Sequence, residues 1–164
     1  MDLTNQMPIA TKSSKIDISD QKSLLEVAGK LANLVDKGDI FLLYGQIGVG
    51  KTTFTKFLIN NLEIKNTLNK SDVLSPTFNI LNEYQINDLN IKHFDLYRIK
   101  NKKELSNLCL FEEEESVKII EWPEILEPIK INKIEFRFSY SNDFKNRNLI
   151  ISTNYKNQII DEFK

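Results

Sequence analysis

Between Gly45 and Thr52 the chain reads Gly45-Gln46-Ile47-Gly48-Val49-Gly50-Lys51-Thr52, which meets the phosphate-loop pattern G-x-x-x-x-G-K-[ST] at every specified position. No other stretch limits the fold as tightly. Glycines let backbone N–H groups turn inward around phosphate oxygens, a lysine places a point charge on the β and γ phosphates, and the threonine hydroxyl reaches Mg²⁺. Such a loop needs a buried strand before it and a helix after it, whose N-terminal dipole favours an anion. Ile40-Phe41-Leu42-Leu43-Tyr44 is a continuous apolar run ending directly at Gly45, as a buried parallel strand would. From Thr52 to Leu62, Phe54, Phe57, Leu58 and Leu62 recur near helical spacing. Strand, loop and helix stand in the required order, so a bound nucleoside triphosphate is expected.

The chain has 164 residues, 41% hydrophobic and 27% charged, which suits one domain with a real core. The domain is expected over residues 14–155, with a loosely ordered N-terminus (1–13) and a C-terminal tail (156–164). A net charge of −1 offers no basic field for autonomous binding to a nucleic-acid backbone, so DNA is not expected as a partner. Cys109 is the single cysteine, which excludes an internal disulfide and a cysteine zinc cluster. The N-terminus lacks the pattern of a signal peptide and no apolar run is long enough to span a bilayer, so a cytoplasmic setting without membrane partners fits.

Outside the loop, Lys15–Ser19 alternates like a half-exposed edge strand. Ser19 or Asp20 can cap a helix with an apolar face from Leu24 to Val35, which Gly38 would end. Glu63 to Asp72 reads as a surface loop. Strands are expected at Phe78–Gln85 and Asn90–Asp95, joined by an Asn87-Asp88 turn, then a polar helix over Lys102–Leu110. Val117–Glu121 is another short strand, stopped by Trp122-Pro123, and Lys133–Tyr140 and Asn148–Asn154 close the chain as two more. The mixture predicts an α/β class: a P-loop NTPase-like three-layer fold, its central sheet mostly parallel with antiparallel edge strands and flanking helices.

A phosphate loop that supports hydrolysis also needs a carboxylate beside Mg²⁺, typically at the C-terminal end of a neighbouring strand. Asp95 and Glu121 both qualify, and strand pattern alone does not divide the roles between them. Ser75-Pro76-Thr77 offers hydroxyls on a rigid turn, suited to sensing the γ-phosphate or orienting water, although a plain strand-entry turn explains it equally well. Arg98 and Arg147 stand out in a chain that mostly uses lysine, and a guanidinium suits phosphate or a carboxylate. His93, the single histidine, sits within a strand, where a structural role is the simpler reading. Trp122 reads as packing. Glu112–Glu115 reads as a solvated face and the Arg98–Lys103 cluster as an exposed loop.

Four motifs together, Gly45–Thr53, Ser75-Pro-Thr-Phe78, His93-Phe-Asp-Leu-Tyr-Arg98 and Ile120-Glu-Trp-Pro-Glu124, resemble the TsaE (YjeE) family in order and spacing, over roughly Ile18 to Ile151. The resemblance implies a bacterial ATPase that works with TsaB and TsaD in making N6-threonylcarbamoyladenosine (t6A) at position 37 of tRNAs reading ANN codons, touching tRNA only through that complex. ATP and Mg²⁺ are the implied cofactors. It implies that Gln46, Ile47, Gly48, Val49, Gly50, Lys51, Thr52 and Thr53 hold the nucleotide, and that Thr52 and Glu121 coordinate Mg²⁺. Lys51, Thr77, Asp95 and Glu121 are the implied catalytic set, with Asp95 positioning water or contacting TsaD. Trp122 would support Glu121, and Arg147 and Gln21 would approach the nucleotide. Gln46 departs from a usually acidic position and Val49 from a frequent alanine, and neither removes a phosphate donor. A small-molecule P-loop kinase and a nucleotide-gated interaction module are the alternative readings.

Overall fold

Residues 12–164 are described by a computed structural model. In chain order the elements are β1 (Lys12–Asp17), α1 (Gln21–Ala32), β2 (Ile40–Tyr44), α2 (Lys51–Lys65), β3 (Leu81–Ile86), β4 (Leu89–Asp95), α3 (Lys102–Ser106), β5 (Val117–Glu121), β6 (Ile134–Tyr140), β7 (Arg147–Thr153) and α4 (Asn157–Asp161). A 3₁₀ turn at Pro123–Leu126 follows β5. The strands form one sheet in the order β1-β7-β6-β2-β5-β4-β3. β6, β2, β5 and β4 run parallel, while β3, β7 and β1 pair antiparallel at the edges. This is the α/β arrangement expected from the sequence.

The apolar runs explain the centre. All five residues of β5 are buried, and so are Phe41–Tyr44 of β2, because helices and loops cover both faces there. Phe41, Leu43, Ile119 and Phe136 face α1 and α2, whereas Leu42, Tyr44, Phe94 and Ile120 face a second cluster with Leu96, Leu110 and the 3₁₀ turn. These two clusters make the three layers. β6 and β7 alternate buried and exposed positions, as strands nearer the edge do.

Several boundaries differ from the sequence expectation, each for a tertiary reason. α1 is capped by Asp20, which accepts from the Lys22 N–H at 3.1 Å, but it stops at Ala32, well before Gly38. Gly38 instead turns at φ 80° and donates to the Glu115 carbonyl, and a Cβ there would meet the Glu114 carbonyl at 2.9 Å. α2 runs on to Lys65, so Glu63 is helical and buried rather than part of a surface loop. Its carboxylate accepts from Asn60 and the Ser71 N–H, pinning the segment that leads to Ser75. β3 starts at Leu81, since residues 77–80 form a turn in which Ile80 takes φ 68° and Phe78 is 84% exposed. α3 is five residues long and ends at Ser106, short of Leu110. The stretch 156–164, expected as a tail, carries α4, which seats Ile159 and Ile160 in the core. The expectation for the first eleven residues lies outside the described part of the chain.

Candidate functional site

Parallel strands bring their C-terminal ends to one rim. Register places Leu43 beside Glu121 and Asp95 beside Glu121, so the loop after β2 and the last residues of β4 and β5 share a mouth. A cleft of about 310 Å³ opens there. Ile47, Gly48, Gly50, Lys51, Thr52 and Thr53 form one wall, and Ser75, Thr77, Asp95, Tyr97, Glu121 and Trp122 the other.

Two glycines let the loop fit. Gly45 takes φ 141° and a Cβ on it would lie 2.7 Å from the Phe138 carbonyl, so no side chain fits where the loop leaves the sheet. Gly50 takes φ 122° at the N-cap of α2 and caps with no side chain, which leaves the helix's first N–H groups pointing out of the loop. Val49 is buried and Gln46 is exposed. The Gln46 contribution seen here is its backbone carbonyl, which any residue at that position supplies.

Lys51 is buried and folded back on its own loop. Its ammonium donates to the carbonyls of Gly45 at 2.6 Å and Gln46 at 3.0 Å, and it sits 3.8 Å from the centre of the Trp122 ring. Burial lowers its pKa, against the opposing pull of Glu121, Glu124 and Asp95. Trp122 is therefore more than packing. Its backbone is left-handed at φ 59°, a conformation costing a bulky residue about 1–2 kcal/mol. The Trp122 N–H donates to the Leu43 carbonyl, and Tyr97 lies against the ring at 4.9 Å.

Two carboxylates occupy distinct settings. Glu121 is 2% exposed and accepts from the Thr52 hydroxyl, which lies 2.9 Å from Oε1 and 3.1 Å from Oε2. His93 Nε2 stands 2.9 Å from Oε1. Asp95, also 2% exposed, accepts at Oδ2 from Ser75 at 3.0 Å and Thr77 at 2.7 Å, and at Oδ1 from the Tyr97 N–H at 3.0 Å. The Ser75 and Thr77 hydroxyls are themselves 2.7 Å apart. Glu121 is thus joined to the phosphate loop, and Asp95 to the Ser75–Thr77 turn.

Among the described residues no group of three or more His, Cys, Asp or Glu side chains can hold a metal ion by itself. The Thr52 hydroxyl and Glu121 carboxylate already meet at the loop, and Mg²⁺ is usually held by one or two carboxylates together with substrate phosphates. The donor set therefore fits Mg²⁺ arriving with a nucleotide.

Other expected residues lie elsewhere. Gln21 is exposed at the start of α1, and Arg147 donates from its guanidinium to the Ser19 carbonyl at 3.1 Å; neither lines the cleft. Arg98 stacks on Phe78 at 5.5 Å, and Arg137, not singled out in the sequence, lies over Tyr44 at 4.0 Å. Sequence reasoning also missed His93 and the Tyr97 N–H as partners of the carboxylates. The period of two along β4, which puts residues 93 and 95 on one face, was the available signal. Glu112–Glu115 is exposed, as expected, and sits at the opposite end of β5, where Glu113 pairs with Lys92 at 2.7 Å.

Residues 18–149 match the family described as "Threonylcarbamoyl adenosine biosynthesis protein TsaE". The chain belongs to the TsaE family. It is 32% identical over 147 residues to the tRNA threonylcarbamoyladenosine biosynthesis protein TsaE of Rickettsia felis, covering 88% of this chain and 83% of that protein. The Haemophilus influenzae protein of the same name is 31% identical over 154 residues, or 89% and 94% of the two chains. The crystal structure of YdiB from Bacillus subtilis superposes with a TM-score of 0.71 at 23% identity, spanning 93% of this chain and 95% of that one. That likeness supports the P-loop NTPase-like fold.

Proposed function

We propose that the chain is the ATP-binding and ATP-hydrolysing subunit that works with TsaB and TsaD in threonylcarbamoylation of adenosine 37 in tRNAs reading ANN codons, in the cytoplasm, with hydrolysis resetting the complex between turnovers. The carrying observation is the convergence of Lys51, Thr52, Glu121 and Asp95 on one cleft at the mouth of a phosphate loop. Support for the pathway comes from the names of the relatives.

In this reading the loop N–H groups and Lys51 hold the phosphates, Lys51 leaving the Gly45 and Gln46 carbonyls to do so. Thr52 and Glu121 would hold Mg²⁺, which when bound would supply neutralisation of phosphate charge. Asp95 and Thr77 orient a water whose oxygen bonds to the γ-phosphorus. The bond to the β–γ bridging oxygen breaks, and ADP, phosphate and a proton result. The kinase alternative gains no support, since none of the three arginines lines the cleft. Next to the site, the 84% exposed Phe78 offers apolar surface one residue from Thr77, which suits contact with a partner protein.

Phosphate release from ATP by the chain alone, then with TsaB and TsaD, tests the reading, together with t6A formation scored over repeated turnovers. Slow release that changes on adding partners, with single turnover when the chain is omitted, is expected. Release that ignores the partners overturns the subunit role. Nucleotide binding without any release would leave the nucleotide-gated module.

A further inference from the structure

The single histidine of the chain has one polar contact. His93 is fully buried in β4, its Nε2 is 2.9 Å from Glu121 Oε1, and its Nδ1 meets no hydrogen-bond partner. With no acceptor at Nδ1, the network assigns the ring proton to Nε2, and the imidazole is a donor directed at one carboxylate oxygen.

We propose that His93 is a positioning residue for the metal site: it holds Glu121 Oε1 so that the carboxylate presents its remaining lone pairs beside Thr52. Glu121 has two side-chain donors, Thr52 and His93. The Thr52 hydroxyl has a single proton, and in the proposed function its oxygen would be a ligand of the ion. His93 then remains as the donor that keeps a buried carboxylate from rotating about its last side-chain bond. Register fixes the reach, since His93 lies opposite Ile119 and Glu121 opposite Asp95, and the period of two turns His93 and Asp95 to the same face of β4. One strand thus carries both Asp95 and the residue that aims Glu121. Residues standing behind a metal ligand in this way tune affinity by about 10–100-fold.

The inference rests on the proposed Mg²⁺–nucleotide reading and is tested separately from turnover. Mn²⁺ replaces Mg²⁺ as a paramagnetic probe, and its affinity for the chain saturated with a non-hydrolysable ATP analogue is measured by electron paramagnetic resonance. Nucleotide affinity is measured in parallel with EDTA present. His93→Leu should weaken Mn²⁺ binding about 10–100-fold while leaving nucleotide affinity in EDTA unchanged. His93→Gln, whose amide N–H can reach the place of Nε2, should restore most of the loss. In a Glu121→Gln background, His93→Leu should have no further effect on Mn²⁺. Wild-type Mn²⁺ affinity in His93→Leu, equal losses with and without metal, or no rescue by Gln overturns the positioning role. A wild-type chain that binds nucleotide but no Mn²⁺ overturns it as well, and one that binds no nucleotide overturns the proposed function with it.

Discussion

The two ends of the parallel strands bury polar groups in different ways. At the N-terminal end, Lys156 bonds to Asp39 at 2.6 Å and Asp36 at 2.8 Å, while Tyr155 donates to the other Asp39 oxygen at 2.5 Å. Burial, reinforced by Asp39, pushes the Tyr155 hydroxyl pKa upward, so it stays a donor. Nearby, buried Lys118 donates to the Ser116 carbonyl and hydroxyl and to the Glu113 carbonyl. At the C-terminal end, Asp95 and Glu121 lie in register on adjacent strands, and the nearest cation, Lys51, is bonded to carbonyls and an aromatic ring instead. The buried carboxylate of Asp39 has its cation in place, whereas Asp95 and Glu121 accept from hydroxyl, ring and backbone donors and not from Lys51. Pairing a buried charge supports stability at the first end, and the proposed function gives the second end to a ligand.

Mutations should separate the two ends. The largest effect is expected from Lys51→Ala, which should abolish nucleotide binding measured by calorimetry while leaving the melting temperature close to wild type; retained binding would break the contrast at its functional end. Glu121→Ala should lower Mg²⁺-dependent hydrolysis by at least about a hundredfold with a smaller loss of binding. If Asp95→Ala costs more Mg²⁺ affinity than Glu121→Ala, the metal assignment belongs to Asp95.

At the opposite end, Lys156→Ala leaves Asp39 buried without its cation and should destabilise the fold by about 3 kcal/mol in denaturant unfolding. Its nucleotide affinity, measured under folded conditions, should be unchanged; a large drop would mean that the two ends are coupled. The smallest effect concerns pH. Burial lowers the Lys51 pKa, and the cation is the form that attracts phosphate, so affinity is full below that pKa and lost as pH rises through it. The midpoint of the decline should therefore lie below 10.5, the ordinary lysine value, with proton uptake on nucleotide binding in that window. A midpoint at or above 10.5 would show that burial does not weaken the cation.

Much of the architecture was legible in local sequence. Ile40–Tyr44 and Val117–Glu121 form strands with the bounds that their apolar runs suggested, because continuous burial leaves few alternatives for a short segment. Asp20 acts as the cap that its side chain allows, and Asn87 turns the β3–β4 hairpin at φ 52°. Harder to read were segments whose state is set by distant contacts. Phe78 belongs to a turn because the Ile80 N–H bonds to the Pro76 carbonyl, while Asp95 donates its own N–H to Ile80. α4 is short and weakly patterned, and it is held by Ile159 and Ile160 entering a core built by the rest of the chain.

By itself the sequence determined the phosphate loop, with its strand, its helix, and two acidic residues closing later strands. Those features are local: a glycine's allowed φ, an apolar run and a lysine's charge depend on near neighbours. The tertiary structure alone decided that His93 joins Glu121 while Asp95 joins Ser75, Thr77 and Tyr97, and that Lys51 rests on Trp122. Residues far apart in the chain meet only through strand order and register, and a side chain's role at the rim follows from which oxygen faces which donor.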